Sequence, residues 1–133
     1  MNESIGPISP CFLSNDVPRS ISFYCERLGF ELRFATPTDA PFFAIVGRGS
    51  VQLHLKDPRE SLDDSAPPQP NVKQHAATPW DAFVYVADPD ALAQELGTRM
   101  ENGAPTVEQR ADGLFGFAVA DPEGYVLFFG RPT

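Results

Sequence analysis

Histidine and cysteine are scarce in this chain: His54, His75, Cys11 and Cys25 are all that 133 residues contain. So few ligands exclude a structural zinc finger, and two thiols exclude a disulfide framework. The cysteines form no CxxC, and Met1 to Pro10 has neither the basic start nor the apolar run of a signal segment. The cytosol is therefore the expected compartment. No stretch approaches ~18 consecutive apolar residues, so no transmembrane helix and no membrane partner are expected. Basic residues are also in deficit, 10 against 18 acidic, for a net charge of −8. Such a surface repels phosphate backbones, which argues against nucleic acid, and it tolerates or attracts a cationic ligand. No G-x-S-x-G, Walker A or G-x-G-x-x-G occurs.

What is present suits one soluble domain, with 42% apolar residues. Ile8 to Ser14 reads as a short strand, with Pro10 arguing for an edge position or a bulge. Asp16 caps a helix, Pro18 falls in its first turn, and Ile21, Tyr24, Cys25 and Leu28 form its stripe up to the stop at Gly29. Both cysteines are expected to pack here as small hydrophobes. Strands follow over 30–36, 42–46 and 51–55, the last two joined by Gly47-Arg48-Gly49-Ser50, whose glycines permit a tight hairpin.

From Asp57 to Thr78 the pattern dissolves into a polar, Pro-rich stretch holding Pro67, Pro68 and Pro70. It reads as a stiff connector, with His75, Asp57, Asp63 and Asp64 solvated. The pattern then returns. A strand over 80–87 leads to Asp88, a helix cap with Pro89 at the first position. Leu92, Leu96 and Met100 mark the stripe and Gly103 the stop. Strands at 106–110 and 115–120 flank Asp112-Gly113, and Asp121-Pro122-Glu123-Gly124 makes a turn into a final strand over 125–129.

Each half thus reads strand, helix, strand, strand, strand. The expected fold is α+β: two βαβββ modules, about 6–56 and 79–131 with the connector 57–78 between them, forming a curved mixed sheet around a cavity in a single domain.

Three segments carry a family resemblance. Asn15-Asp16 leads to Phe23-Tyr24 and Leu28-Gly29-Phe30; Phe83-Val84-Tyr85-Val86-Ala87 runs into Asp88; and Asp121-Pro122-Glu123-Gly124 precedes the last strand. In this order they resemble the vicinal-oxygen-chelate superfamily of glyoxalases, dioxygenases and bleomycin- and fosfomycin-resistance proteins. The resemblance implies four inward positions that usually hold a divalent metal through His, Gln or Glu. Here they map to Ser9, Gln52, Trp80 and Phe128. Trp and Phe cannot ligate a metal and Ser does so poorly, so no metal and no other cofactor is expected.

Aromatic residues fill those positions instead. Trp80 and Phe128, with Phe43 or Phe115 from adjacent strands, suit a planar or amphipathic guest, and aromatic faces also attract cations. Gln52 and His54, two residues apart on one face, would orient it. Trp80 and Phe128 as plain core, and His54 as a satisfied buried histidine, are the competing structural readings. In character the chain resembles the metal-free bleomycin-resistance branch. That implies antibiotic resistance or metabolite binding by sequestration, in a homodimer, with no catalytic residue. Two alternatives remain at this level: a lyase, isomerase or dioxygenase with an atypical metal site around Gln52 and His54, or a protein-interaction module with a filled cavity.

Overall fold

The computed structural model describes residues 4–61 and 80–133. Asp63, Asp64, His75 and most of the expected connector lie outside them. Two four-stranded mixed sheets carry the α+β fold. The first has the order β1 (Cys11–Leu13), β4 (Val51–Lys56), β3 (Phe43–Arg48), β2 (Glu31–Thr36). The second has the order β5 (Ala82–Tyr85), β8 (Val126–Pro132), β7 (Leu114–Ala120), β6 (Glu108–Gln109). In each sheet the first strand of the module pairs parallel with the last, and the other pairs are antiparallel. The modules repeat the same topology, as the sequence pattern implies, and their strands fall into two separately hydrogen-bonded sheets.

The helices begin where the aspartates put them. The Asp16 side chain accepts from the Arg19 N–H ahead of α1 (Val17–Ser22), and the Asp88 side chain from the Ala91 N–H ahead of α2 (Pro89–Gly97). Helix α1 widens into a π-helical turn over Phe23–Arg27. Helix α2 stops at Gly97, short of Met100 and Gly103; a Cβ on Gly97 would stand 2.9 Å from Ala104 Cα, so the following loop approaches too closely for a side chain. The expected connector opens as a 3₁₀ turn, Pro58–Ser61. Asp57 is held there rather than solvated: it accepts from the Arg59 backbone and guanidinium, and Arg59 also donates to the Asn15 carbonyl at 2.7 Å.

One core joins the modules. Phe12, Leu53 and Leu55 of the first sheet, Phe117, Leu127 and Phe129 of the second, and Val17, Tyr24, Ala93 and Leu96 from the helical segments bury together. Each sheet therefore has a helix-side face in the core and an open face turned from it. Cys25 packs at the margin of the core, whereas Cys11 is exposed and stands outside it.

The Asp121 turn ties the modules together. Its carboxylate accepts from the Tyr24 hydroxyl at 2.8 Å and from the backbone N–H of Glu123 and Tyr125, both at 2.9 Å. Nearby, Tyr125 stacks on Phe12 with centroids 4.3 Å apart, and its hydroxyl accepts from the Leu13 N–H. Burial pushes the Asp121 carboxyl above its ordinary value, and burial beside that carboxylate pushes the Tyr24 hydroxyl well up.

Candidate functional site

Alternation along the strands sorts the expected site residues by face. In β4, Leu53 and Leu55 enter the core, so Gln52 and His54 take the open face of the first sheet. In β3, Ala44 and Val46 are buried, and Phe43 stands with Ile45 on the same open face. There Phe34, Phe43 and His54 form a chain of edge-to-face rings, with centroid separations of 6.1 and 5.3 Å. Ser9, ahead of β1, accepts a long hydrogen bond from Gln52 Nε2 at 3.4 Å. This half is mixed: two aromatic rings, an imidazole, an amide and a hydroxyl.

The second sheet's open face is aromatic. Phe128 is 2% exposed yet stands apart from the shared core. Trp80 and Phe83 cover it, with centroids at 5.1 and 5.4 Å, and Tyr85 continues the cluster from Phe83 at 4.8 Å. Glycine makes the room. A Cβ on Gly116 or Gly130, paired across β7 and β8, would lie 2.9 or 2.6 Å from Phe128 Cε2, so the ring rests over bare backbone. The same Cβ on Gly130 would meet the Phe115 carbonyl oxygen at 2.4 Å. Gly130→Ala is expected to cost about 2 kcal/mol of stability through overpacking, read from its urea midpoint.

Phe115 does not join this cluster. It shares the parity of the buried Phe117, which puts it on the helix-side face, and the Arg131 guanidinium lies over its ring at 5.3 Å. Phe83 takes the place that Phe115 was expected to fill; its alternation with Val84 in β5 carries that signal.

Two arginines in the site are not singled out by the sequence. Arg33 is the extra residue where the β2–β3 register shifts between Leu32 and Phe34. Its guanidinium lies over Gly47, where a Cβ would stand 2.5 Å from Nη1. It donates to Glu31 Oε1 at 3.2 Å, the Gly49 carbonyl at 2.9 Å and Gln52 Oε1 at 3.4 Å. Arg110 lies over the other half, its Cζ 5.6 Å from the Trp80 centroid and 5.7 Å from that of Phe128. Asp112 fixes it through Nε and Nη2. The carboxyl of Asp112 is held below its ordinary value by that bond.

The two halves meet at a groove of about 240 Å³ between β5 and the start of β4 with the segment ahead of β1, lined by Ile8, Pro10, Gln52, Phe83, Tyr85 and Leu127 among others. Gln52 and Phe83 reach it, whereas His54, Trp80 and Phe128 do not line it. Among the described residues no group of three or more His, Cys, Asp or Glu side chains could hold a metal ion. At the four positions implied by the resemblance, the donors are a hydroxyl and an amide whose oxygen already accepts from a guanidinium, beside two aromatic rings. That set does not fit a divalent cation: it offers no carboxylate or imidazole, and Arg33 adds like charge.

Comparison with known proteins gives one family and many folds of the same kind. The model of the Glyoxalase/Bleomycin resistance protein/Dioxygenase superfamily matches residues 6–129. A bleomycin-binding protein from bleomycin-producing Streptomyces verticillus, solved with copper(II)-bleomycin, is 28% identical over the whole of both chains, with a TM-score of 0.65. A lactoylglutathione lyase from Agrobacterium tumefaciens is 21% identical, over 96% of this chain and 95% of its own, at a TM-score of 0.62. A glyoxalase-related enzyme from Clostridium phytofermentans superposes at 0.69, with 14% identity and 98% of each chain covered. No curated protein matches the sequence.

Proposed function

The chain belongs to the Glyoxalase/Bleomycin resistance protein/Dioxygenase superfamily, and from that premise we propose that it is a metal-independent binding protein that sequesters a small aromatic or cationic drug or metabolite. The observation that carries this reading is the pair of open faces. Where the superfamily's enzymes would need metal donors, this chain places Trp80 and Phe128 in one ring cluster and ties Gln52 to Arg33. The bleomycin complex of the Streptomyces verticillus protein supports small-molecule binding on this fold. Flat aromatic walls gain from stacking a planar guest, and Gln52 and His54 orient its polar groups.

The assembly we propose is a homodimer in the cytosol. The mixed and the aromatic halves lie on separate sheets, and exposed rings remain on both, Phe34 at 51% and Tyr85 at 77%. A second copy laid against these faces covers them and closes a cavity with walls from both halves.

The test is a titration of purified protein with metal-free bleomycin and with planar aromatic acids, amides and amines. Trp80 is the only tryptophan, so its emission reports occupancy directly. Binding that survives EDTA, with substoichiometric Zn, Ni, Mn and Fe in the purified protein, is the expected result. Stoichiometric metal, or binding lost on chelation, would favour an enzyme with an atypical site. A ligand at ~100 Kd should add ~2.7 kcal/mol to stability, visible as a rise in Tm.

A further inference from the structure

Only ten residues of this acidic chain are lysine or arginine. Lys56 shares the open face of Gln52 and His54, and two arginines, Arg33 and Arg110, contact the proposed site residues. Each is positioned by more than one feature. Arg33 is turned outward by the register shift in β2, given room by Gly47, and fixed by Glu31, the Gly49 carbonyl and Gln52. Through Gln52 it is linked to Ser9, so both polar positions of this half belong to one hydrogen-bonded chain ending in a guanidinium. Arg110 is stacked on Trp80 and Phe128 and braced by Asp112. The bonds to Asp112 use Nε and Nη2, and Nη1 makes none among the described residues. Its end-on fork, Nη1 with the second N–H of Nη2, is therefore presented beside the rings.

Resting on the reading that these faces bind a small molecule, we propose that the guest is a planar aromatic molecule bearing a carboxylate or equivalent oxyanion, read by Arg110 on the aromatic wall and by Arg33 beside Gln52. The cation–π position on Trp80 and Phe128 is already filled by the chain's own guanidinium. A cationic guest stacking there meets like charge; an anionic one meets a charge-assisted, geometrically fixed pair of donors. The net charge of −8 acts against an anion only at range. Beyond ~8–10 Å that repulsion is screened at physiological salt, whereas contact with a guanidinium is not.

The experiment uses one ring system in three charge states: naphthoate, naphthamide and naphthylmethylammonium, titrated calorimetrically against the full-length protein, with bleomycin as a fourth ligand. Naphthoate should bind on the order of tenfold or more tighter than the amide, and the ammonium weakest. Arg110→Met and Arg33→Met, which keep length and apolar stem, should each lower naphthoate affinity several-fold more than naphthamide affinity, and so shrink the acid-over-amide preference. A merely structural arginine would lower both affinities together. An ammonium that binds tightest, or an acid preference that survives both substitutions, overturns the inference and leaves the binding function standing. Bleomycin binding without any naphthyl ligand does the same. If none of the four ligands binds, the inference and the function it rests on both fall.

Discussion

Trp80→Ala should weaken ligand binding by on the order of a hundredfold while leaving the fold intact. Large aromatic anchors in binding pockets commonly contribute this much, and their neighbours far less. Trp80 precedes β5 and is only partly buried, so its removal opens no cavity in the shared core. It does remove the lid over Phe128 and one of the two rings under Arg110. Affinity must be read by calorimetry, because the variant has no tryptophan left to report. A Trp80→Phe variant should recover most of the loss. If Trp80→Ala binds like the parent, the aromatic wall is core packing and the guest lies elsewhere.

Asp121→Ala should cost about 3 kcal/mol or more, since it strands the buried Tyr24 hydroxyl and two turn N–H groups at once. Denaturation in urea with fluorescence detection measures it. Asp121→Asn, which retains an acceptor oxygen, should cost less and also change the pH response. The folded-state value of Asp121 is raised, so the native state holds this proton more tightly than the unfolded chain does. The group's contribution is therefore least favourable at neutral pH, and it improves as pH falls through the raised value towards the ordinary one. The Asn variant lacks that gain, so parent minus variant stability should rise on mild acidification. A flat difference would mean that the carboxyl is not raised.

The module pattern was legible because capping aspartates, stop glycines and alternating strands are local signals. Asp16 and Asp88 cap as their spacing implies, and positive φ at Gly29, Gly49 and Gly113 falls where turns are expected. The boundaries were less so. Tyr125 looks like the start of the last strand, yet it stands before β8 and spends its ring on Phe12, a contact 113 residues distant in sequence that no window can display. The site divides the same way. The faces of Gln52, His54 and Phe128 follow from alternation. The face of Phe115 does not follow from its own segment: which parity of β7 is buried is fixed by the register with β8, where Phe117 pairs with Phe129 and Phe115 with Arg131. Arg33 and Arg110 carry no such local signal, because an arginine in sequence reads as solvated surface. What marks them is three-dimensional: a glycine opposite, a ring beneath, a carboxylate alongside.

The two glycines beneath Phe128 also bear on how such a protein diversifies. Because Gly116 and Gly130 add no side chains beside Phe128, the relief of that wall is set by Phe83 on the neighbouring strand β5 and by Trp80 and Arg110, which lie outside the strands. None of those three belongs to the shared core. Exchanges among them can recontour the wall without disturbing the scaffold, while the mixed chemistry of Ser9, Gln52 and Arg33 stays fixed on the other sheet. A lineage built on this frame can thus explore new guests one half at a time, keeping a working polar anchor while the aromatic half drifts.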